Sequence, residues 1–288
     1  MATLVGQVWT VFKLRIAFAI MLCALAGMAV AGAPALPAWK ASVLALAVLL
    51  SAAAAGAFNH YVERDLDARM ARTRTRPFVT GAFRAGPAWL ALIFAVLAVA
   101  VGAAGWALNG WAALYTFLGA FVYGVVYTVW LKRRTWLNIV LGGLAGSFAV
   151  LAGAAAVEPD LGAVPLILAG VLFLWTPPHF WSLATVLHED YARAGVPMLP
   201  VVVGDSAAAR IILAHTVALV ALSLVPAALG LGWIYLAGAV VGGAWFLRQS
   251  VRLVRAPGAE AARANFGASL VQLGLLLGAT LLDRALLG

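Results

Sequence analysis

The chain has 288 residues, 65% of them hydrophobic and 10% charged, with a mean hydropathy of +1.03. An ordinary soluble domain is about 45–50% apolar and about 25% charged, so this chain cannot cover a water-facing surface, and it is too hydrophobic to be disordered. Its net charge of +9 reads as membrane topology rather than nucleic-acid affinity, and its lone Cys23 excludes a disulfide framework or a multi-cysteine metal site.

A membrane-spanning helix needs about 20 mostly apolar residues. Nine such runs follow in chain order: 14–33, 41–58, 88–106, 111–131, 136–157, 164–184, 207–230, 232–247 and 266–285. They predict an all-α, polytopic bundle of nine transmembrane helices forming a single domain over 1–288, with no loop long enough for a soluble domain. The first run is too long and too poorly terminated for a signal peptide and is expected to remain. All the basic residues except Lys40 and Arg284 fall on one side of these runs. By the positive-inside rule that side is cytoplasmic. The N-terminus is therefore inside, nine spans put the C-terminus outside, and the chain is expected in the inner membrane. The long polar connections all face the cytoplasm, so the site is expected at that mouth.

The second run passes without a break into Asn59-His60-Tyr61-Val62-Glu63-Arg64-Asp65-Leu66-Asp67, and the helix is expected to continue. At i, i+4 and i+8, Asn59, Glu63 and Asp67 share one stripe and offer an amide oxygen and two carboxylates. Such a donor set suits Mg²⁺, a hard cation that keeps some waters and is shared with substrate phosphates. Asp65 points elsewhere, toward an arginine. Arg64, Arg69, Arg72, Arg74 and Arg76 adjoin the stripe, and arginines beside carboxylates and a metal make a diphosphate clamp. For the arginines alone, a basic loop held by anionic lipid serves equally well. For the acids a functional role is favoured, because carboxylates at the end of a buried helix are costly.

At the turn after the fourth run, Lys132 and Arg133 are candidate phosphate ligands from a second side, with topology anchoring as the alternative. Gly142, Gly143 and Gly146 follow and are assigned to close helix packing. The sixth run carries Trp175-Thr176-Pro177-Pro178-His179-Phe180-Trp181. The proline pair is expected to break or kink the helix. His179 is then a candidate haem-type ligand, proton carrier or interhelical hydrogen-bond partner. Asp190 sits just beyond this run as Asp67 does beyond the second. Two acidic sites on two helices facing one mouth are expected to hold metal. His188 reads as a solvated loop residue, and His60 and His215 as structural.

The stripe, the nine spans and the second Asp-bearing loop resemble the UbiA superfamily of intramembrane prenyltransferases. Longer strings resemble its haem-farnesylating branch: Glu63-Arg64-Asp65-Leu66-Asp67 through Arg76-Pro77, Leu131-Lys132-Arg133-Arg134-Thr135, Trp175 to Trp181, and Asp190-Tyr191-Ala192-Arg193-Ala194-Gly195-Val196-Pro197-Met198-Leu199-Pro200. The resemblance implies transfer of farnesyl from farnesyl diphosphate to the 2-vinyl group of haem b, giving haem O and diphosphate, with Mg²⁺ as cofactor. It implies haem A synthase as a candidate partner. Asn59, Glu63 and Asp67 match the first Mg²⁺-diphosphate motif and Asp190 the second, while Arg72, Arg76, Lys132 and Arg133 match the basic positions. The chain departs from the pattern in three places. Glu63 stands where Asp is usual, Val186 where a second acid is usual, and no proline pair follows Gly146, so the fifth helix is expected to be straighter. The alternatives are a prenyltransferase for another ring acceptor, a transporter with half-helices at the midplane, and an assembly scaffold.

Overall fold

The computed structural model describes residues 3–32 and 36–288, and its regular structure is helical. In chain order the elements are α1 (Leu4–Val11), α2 (Leu14–Ala29), α3 (Ala38–Val62), α4 (Arg64–Asp67), α5 (Pro77–Thr80), α6 (Pro87–Ala107) and α7 (Gly110–Phe121). A π-helix over Val122–Leu131 continues α7. Then come α8 (Asn138–Gly142), α9 (Leu144–Val157), α10 (Ala163–Val186), α11 (His188–Ala194), α12 (Leu199–Val203), α13 (Asp205–Ala228), α14 (Trp233–Arg255) and α15 (Ala259–Leu287).

Among the described residues, seven spans are long and apolar enough to cross a membrane: α3, α6, α7 with its π continuation, α8–α9, α10, α13 and α15. The pair α1 and α2, bent by 49°, adds an eighth. The last residue of the expected first run, 33, lies outside the described residues. The expected run 232–247 is the first part of α14, which has 23 residues but carries Arg248, Arg252 and Arg255 in its final turns. The count of nine is therefore approximate, whereas the polytopic helical architecture stands.

Two kinds of contact join the helices. Near the N-terminus, α2 and α9 meet backbone to backbone: a Cβ at Gly27 would stand 2.0 Å from the Val150 carbonyl oxygen, and one at Gly153 1.8 Å from that of Ala24. Only residues without a side chain permit that approach. Toward the C-terminus, polar side chains tie helices together. The Thr216 and Ser250 hydroxyls lie 3.1 Å apart, Ser250 Oγ donates to Asn265 Oδ1 (2.9 Å), and Asn265 Nδ2 donates to Ser182 Oγ (2.9 Å). This buried chain links α13, α14, α15 and α10. Asp283 of α15 accepts from the backbone N–H groups of Gly232 (2.8 Å) and Tyr235 (3.1 Å), so it caps α14 from another helix.

One expectation is corrected. Pro177 and Pro178 do not break their helix; α10 runs unbroken from Ala163 to Val186 with both prolines buried inside it. Prolines inside a helix are tolerated where the packed bundle surrounds it, and two hydroxyls of the same helix bond back along it: Ser182 Oγ donates to the Pro178 carbonyl (2.5 Å) and Thr176 Oγ1 to that of Leu172 (3.0 Å). The fifth span, Asn138–Val157, carries a one-residue interruption at Gly143, where α8 and α9 meet. A Cβ at Gly143 would stand 3.0 Å from Thr176 Cβ, and one at Gly142 3.0 Å from Tyr127 Cδ2. That is the close packing expected of these glycines.

Candidate active site

A cavity of about 1010 Å³ opens among α2, α3, the π-helix, α8–α9, α10 and α15. It is at the upper end of ordinary ligand pockets, about 300–1,000 Å³, so it has room for a long apolar chain and a second substrate. One wall is charged and the other aromatic.

On the charged wall, α3 ends at Val62, short of the expected continuation. The helical ladder nevertheless carries on across the break: Glu63 N donates to Asn59 O (3.0 Å) and Asp67 N to Glu63 O (2.8 Å). Asn59, Glu63 and Asp67 thus keep one face, all are buried, and all line the cavity. Each is met by a different cation. Lys13 Nζ donates to Asn59 Oδ1 (2.5 Å), Lys132 Nζ to Glu63 Oε2 (2.5 Å), and Arg76 Nη1 to both Asp67 oxygens (2.7 and 2.6 Å). Glu63 Oε1 is buried without a hydrogen-bond partner.

The backbone bends to deliver these cations. Lys13 sits between α1 and α2 at φ 48°, the one non-glycine residue in the left-handed region among those described. Strained residues of this kind cluster at functional sites. Gly56 makes room for it, since a Cβ there would lie 3.2 Å from Lys13 Cβ. Lys132 depends on the π-helix. In an α-helix residues advance about 100° each, so Tyr123 and Lys132, nine apart, would face opposite sides. The i→i+5 winding, closed by Lys132 N donating to Tyr127 O (2.9 Å), takes those nine residues through about two turns. Tyr123, Tyr127 and Lys132 therefore share the cavity face. The two tyrosine rings stack with centroids 5.6 Å apart, and Tyr123 Oη accepts from Lys13 Nζ (2.8 Å).

Arg72, Arg76 and His179 also line the cavity, but Arg64, Arg133 and Asp190 do not. Arg64 turns back to donate to the Tyr61 carbonyl and lies over the Tyr61 ring. Arg133 forms a two-pronged pair with Asp65 (2.8 and 2.7 Å), both about half-exposed. Asp65 does point to an arginine, and that guanidinium holds its carboxyl down at about 2, from an ordinary 3.8. Asp190 is buried at the rim, in a separate pocket of about 380 Å³. It joins the first loop through the Arg72 backbone N–H (3.4 Å) and accepts from Arg193 Nη2 (2.7 Å). His188 pairs with Asp205 (2.9 Å) instead of standing free in solvent. Sequence reasoning treated Lys13 only as a topology signal and His60 as structural. His60 lines the cavity with a buried, unpartnered Nδ1. Nothing in the local sequence announces either position.

On the aromatic wall, His179 is sandwiched between Trp175 and Phe266, with ring centroids at 4.2 and 4.5 Å and planes within 19° and 27° of parallel. Its Nδ1 lies 2.7 Å from Ser269 Oγ.

Among the described residues, no three His, Cys, Asp or Glu side chains converge closely enough to chelate an ion alone. Three oxygen donors already attended by cations, one with an unsatisfied oxygen, do fit a hard cation that draws its other ligands from water and phosphate.

The fold and this cavity are those of an integral-membrane prenyl-transfer enzyme. Residues 20–271 match the UbiA prenyltransferase family, and the chain belongs to that family. It is 61% identical over 280 residues to "Protoheme IX farnesyltransferase 2" of Paramagnetospirillum magneticum, covering 97% of each chain. Among solved structures it resembles the apo UbiA homolog from Aeropyrum pernix K1 (TM-score 0.76, 23% identity, 95% of this chain and 99% of that one). It also resembles the Archaeoglobus fulgidus UbiA homolog bound to DMAPP and Mg²⁺ (TM-score 0.71, 16% identity, 98% and 100%). These two share its fold.

Proposed function

We propose that this enzyme transfers the farnesyl group of farnesyl diphosphate to the 2-vinyl group of haem b, giving haem O and diphosphate. The acceptor and the chain length follow the name of the 61%-identical relative. The observation that carries the chemistry is the row of Asn59, Glu63 and Asp67, each under a separate cation, on one side of an apolar cavity.

Asn59, Glu63 and Asp67, with Asp190 from the second loop, are the residues that would hold Mg²⁺. The ion would neutralise the leaving diphosphate. Lys13, Lys132 and Arg76 are placed to turn from their amide and carboxylate partners to phosphate oxygens, and Arg72 lines the same cavity; together they would stabilise the charge that develops as the allylic C–O bond breaks. Arg64 and Arg133, outside the cavity, suit the haem propionates at the mouth. Tyr123, Tyr127 and the alanine-rich faces of α3 and α9 keep bulk water from the allylic cation. Attack by the terminal vinyl carbon leaves positive charge on the carbon next to the porphyrin, and capture by one water with loss of a proton discharges it. The basic loops support a mouth facing the cytoplasm at the inner membrane, and haem A synthase is the candidate acceptor of the product. Mass spectrometry of haems from membranes with and without this protein tests the reading. Haem O only when the protein is present supports it, and unchanged haem b alone overturns it.

A further inference from the structure

The aromatic wall assigns a docking point for the acceptor, an inference that rests on the haem reading above. Ser269 has one hydroxyl proton, and it donates that proton to the Phe266 carbonyl at 2.6 Å. With that proton on the carbonyl, Ser269 Oγ accepts from His179 Nδ1, and this tautomer leaves the lone pair on Nε2. Nε2 makes no hydrogen bond to any described residue and is not among the enclosed unpartnered atoms, so it meets the open cavity that His179 lines. Trp175 and Phe266 cover both ring faces and Phe180 packs edge-on at 4.9 Å, which fixes the ring's direction. A histidine whose far nitrogen is committed to an acceptor, and whose plane is locked, is the arrangement that orients a metal-ligating imidazole.

We infer that His179 Nε2 is the axial ligand of the acceptor's iron, and that the Ser269 hydroxyl is the positioning group that holds it in the ligating tautomer. The charged wall would then hold the prenyl donor while a single bond from the aromatic wall anchors the porphyrin across the same cavity. Selectivity for an iron porphyrin over other ring acceptors follows from that bond.

The test uses the full-length protein in lipid nanodiscs, titrated with ferric haem b in the absence of farnesyl diphosphate and followed by optical absorption and electron paramagnetic resonance. Wild type is expected to bind haem with an imidazole-ligated spectrum. His179→Ala should lose that signature and regain it, together with farnesyl transfer, on addition of free imidazole. The same spectrum in both proteins would overturn the assignment. Ser269→Ala keeps the imidazole and should weaken haem binding about 10-fold or more while binding of a farnesyl thiodiphosphate stays unchanged; unaltered haem affinity would remove the positioning role. Independent of any variant's folding, wild type should bind haem b at least about 10-fold more tightly than metal-free protoporphyrin IX, and equal affinity would overturn the iron bond. Wild type that fails to farnesylate haem b at all defeats the parent reading. Wild type that farnesylates it with spectra indifferent to residue 179 defeats this inference alone.

Discussion

The two walls of the cavity solve the problem of polarity inside a membrane in opposite ways. On the wall built by α2, α3 and the π-helix, each member of the oxygen stripe is met by a cation: Lys13 on Asn59, Lys132 on Glu63, Arg76 on Asp67. On the wall built by α10 and α15, the polar side chains are neutral and tied across the two helices, as in His179–Ser269 and, behind the cavity surface, Asn265–Ser182. A buried ion pair stabilises little by itself, yet removing one partner leaves an uncompensated charge that costs about 3–5 kcal/mol. A neutral interhelical hydrogen bond in a membrane contributes about 0.6 kcal/mol on average. The charged wall is therefore poor at holding the fold together, and its ion pairs can exchange partners when an anion arrives. The neutral wall is fixed in place.

That contrast can be broken most severely at Asp67. Asp67→Ala should lower turnover by about 10²–10³-fold or more, measured as haem product per inserted protein. Asp190→Asn sharpens the point, because it keeps an acceptor for the Arg72 N–H but drops the charge. A loss of the same order gives Asp190 a charge role, and retained turnover leaves it only holding Arg72. Next in size is Lys132→Ala, which orphans Glu63 and should destabilise by about 3–5 kcal/mol in detergent unfolding. The double variant Glu63→Gln/Lys132→Met should recover stability without recovering turnover. If turnover returns as well, the pair is structural.

On the neutral side, Asn265→Ala should cost about 0.6–1.7 kcal/mol with little change in binding of a farnesyl thiodiphosphate. The smallest effect belongs outside the cavity. The exposed Arg133–Asp65 pair should contribute about 0.2–1 kcal/mol. Because the folded Asp65 carboxyl is depressed from 3.8 to about 2, that contribution is complete above about pH 4 and fades as pH falls toward 2. Arg133→Ala should flatten this acid-side slope in unfolding experiments, lowering stability at neutral pH by about 0.2–1 kcal/mol and leaving it unchanged near pH 2.

Much of the charged wall is legible in the sequence because it rests on one spacing: Asn59, Glu63 and Asp67 recur at helical period, and a helix that breaks at residue 63 while keeping its i→i−4 bonds preserves their face. The span positions follow from hydropathy for the same reason, since lipid imposes both length and apolarity. The cations were harder to read. Lys13 enters the site as a left-handed residue just before the first apolar run, and Lys132 through a π-helix, and neither backbone leaves a compositional trace. Pro177-Pro178 misled in the other direction, because a proline's local preference yields to neighbours that hold it in place. Arg64 and Arg133 look identical in sequence to Arg72 and Arg76, and only the fold separates those facing the cavity from those facing away.

The most direct measurement supplies the purified protein in nanodiscs with farnesyl diphosphate, haem b and Mg²⁺, and follows the porphyrin by mass spectrometry before and after the metal is chelated. Farnesylated haem that forms with wild type, stops on chelation and is absent with Asp67→Ala is the result predicted here. Product that forms undiminished without divalent metal, or with Asp67 removed, would contradict the assignment of Asn59, Glu63 and Asp67 to the leaving group.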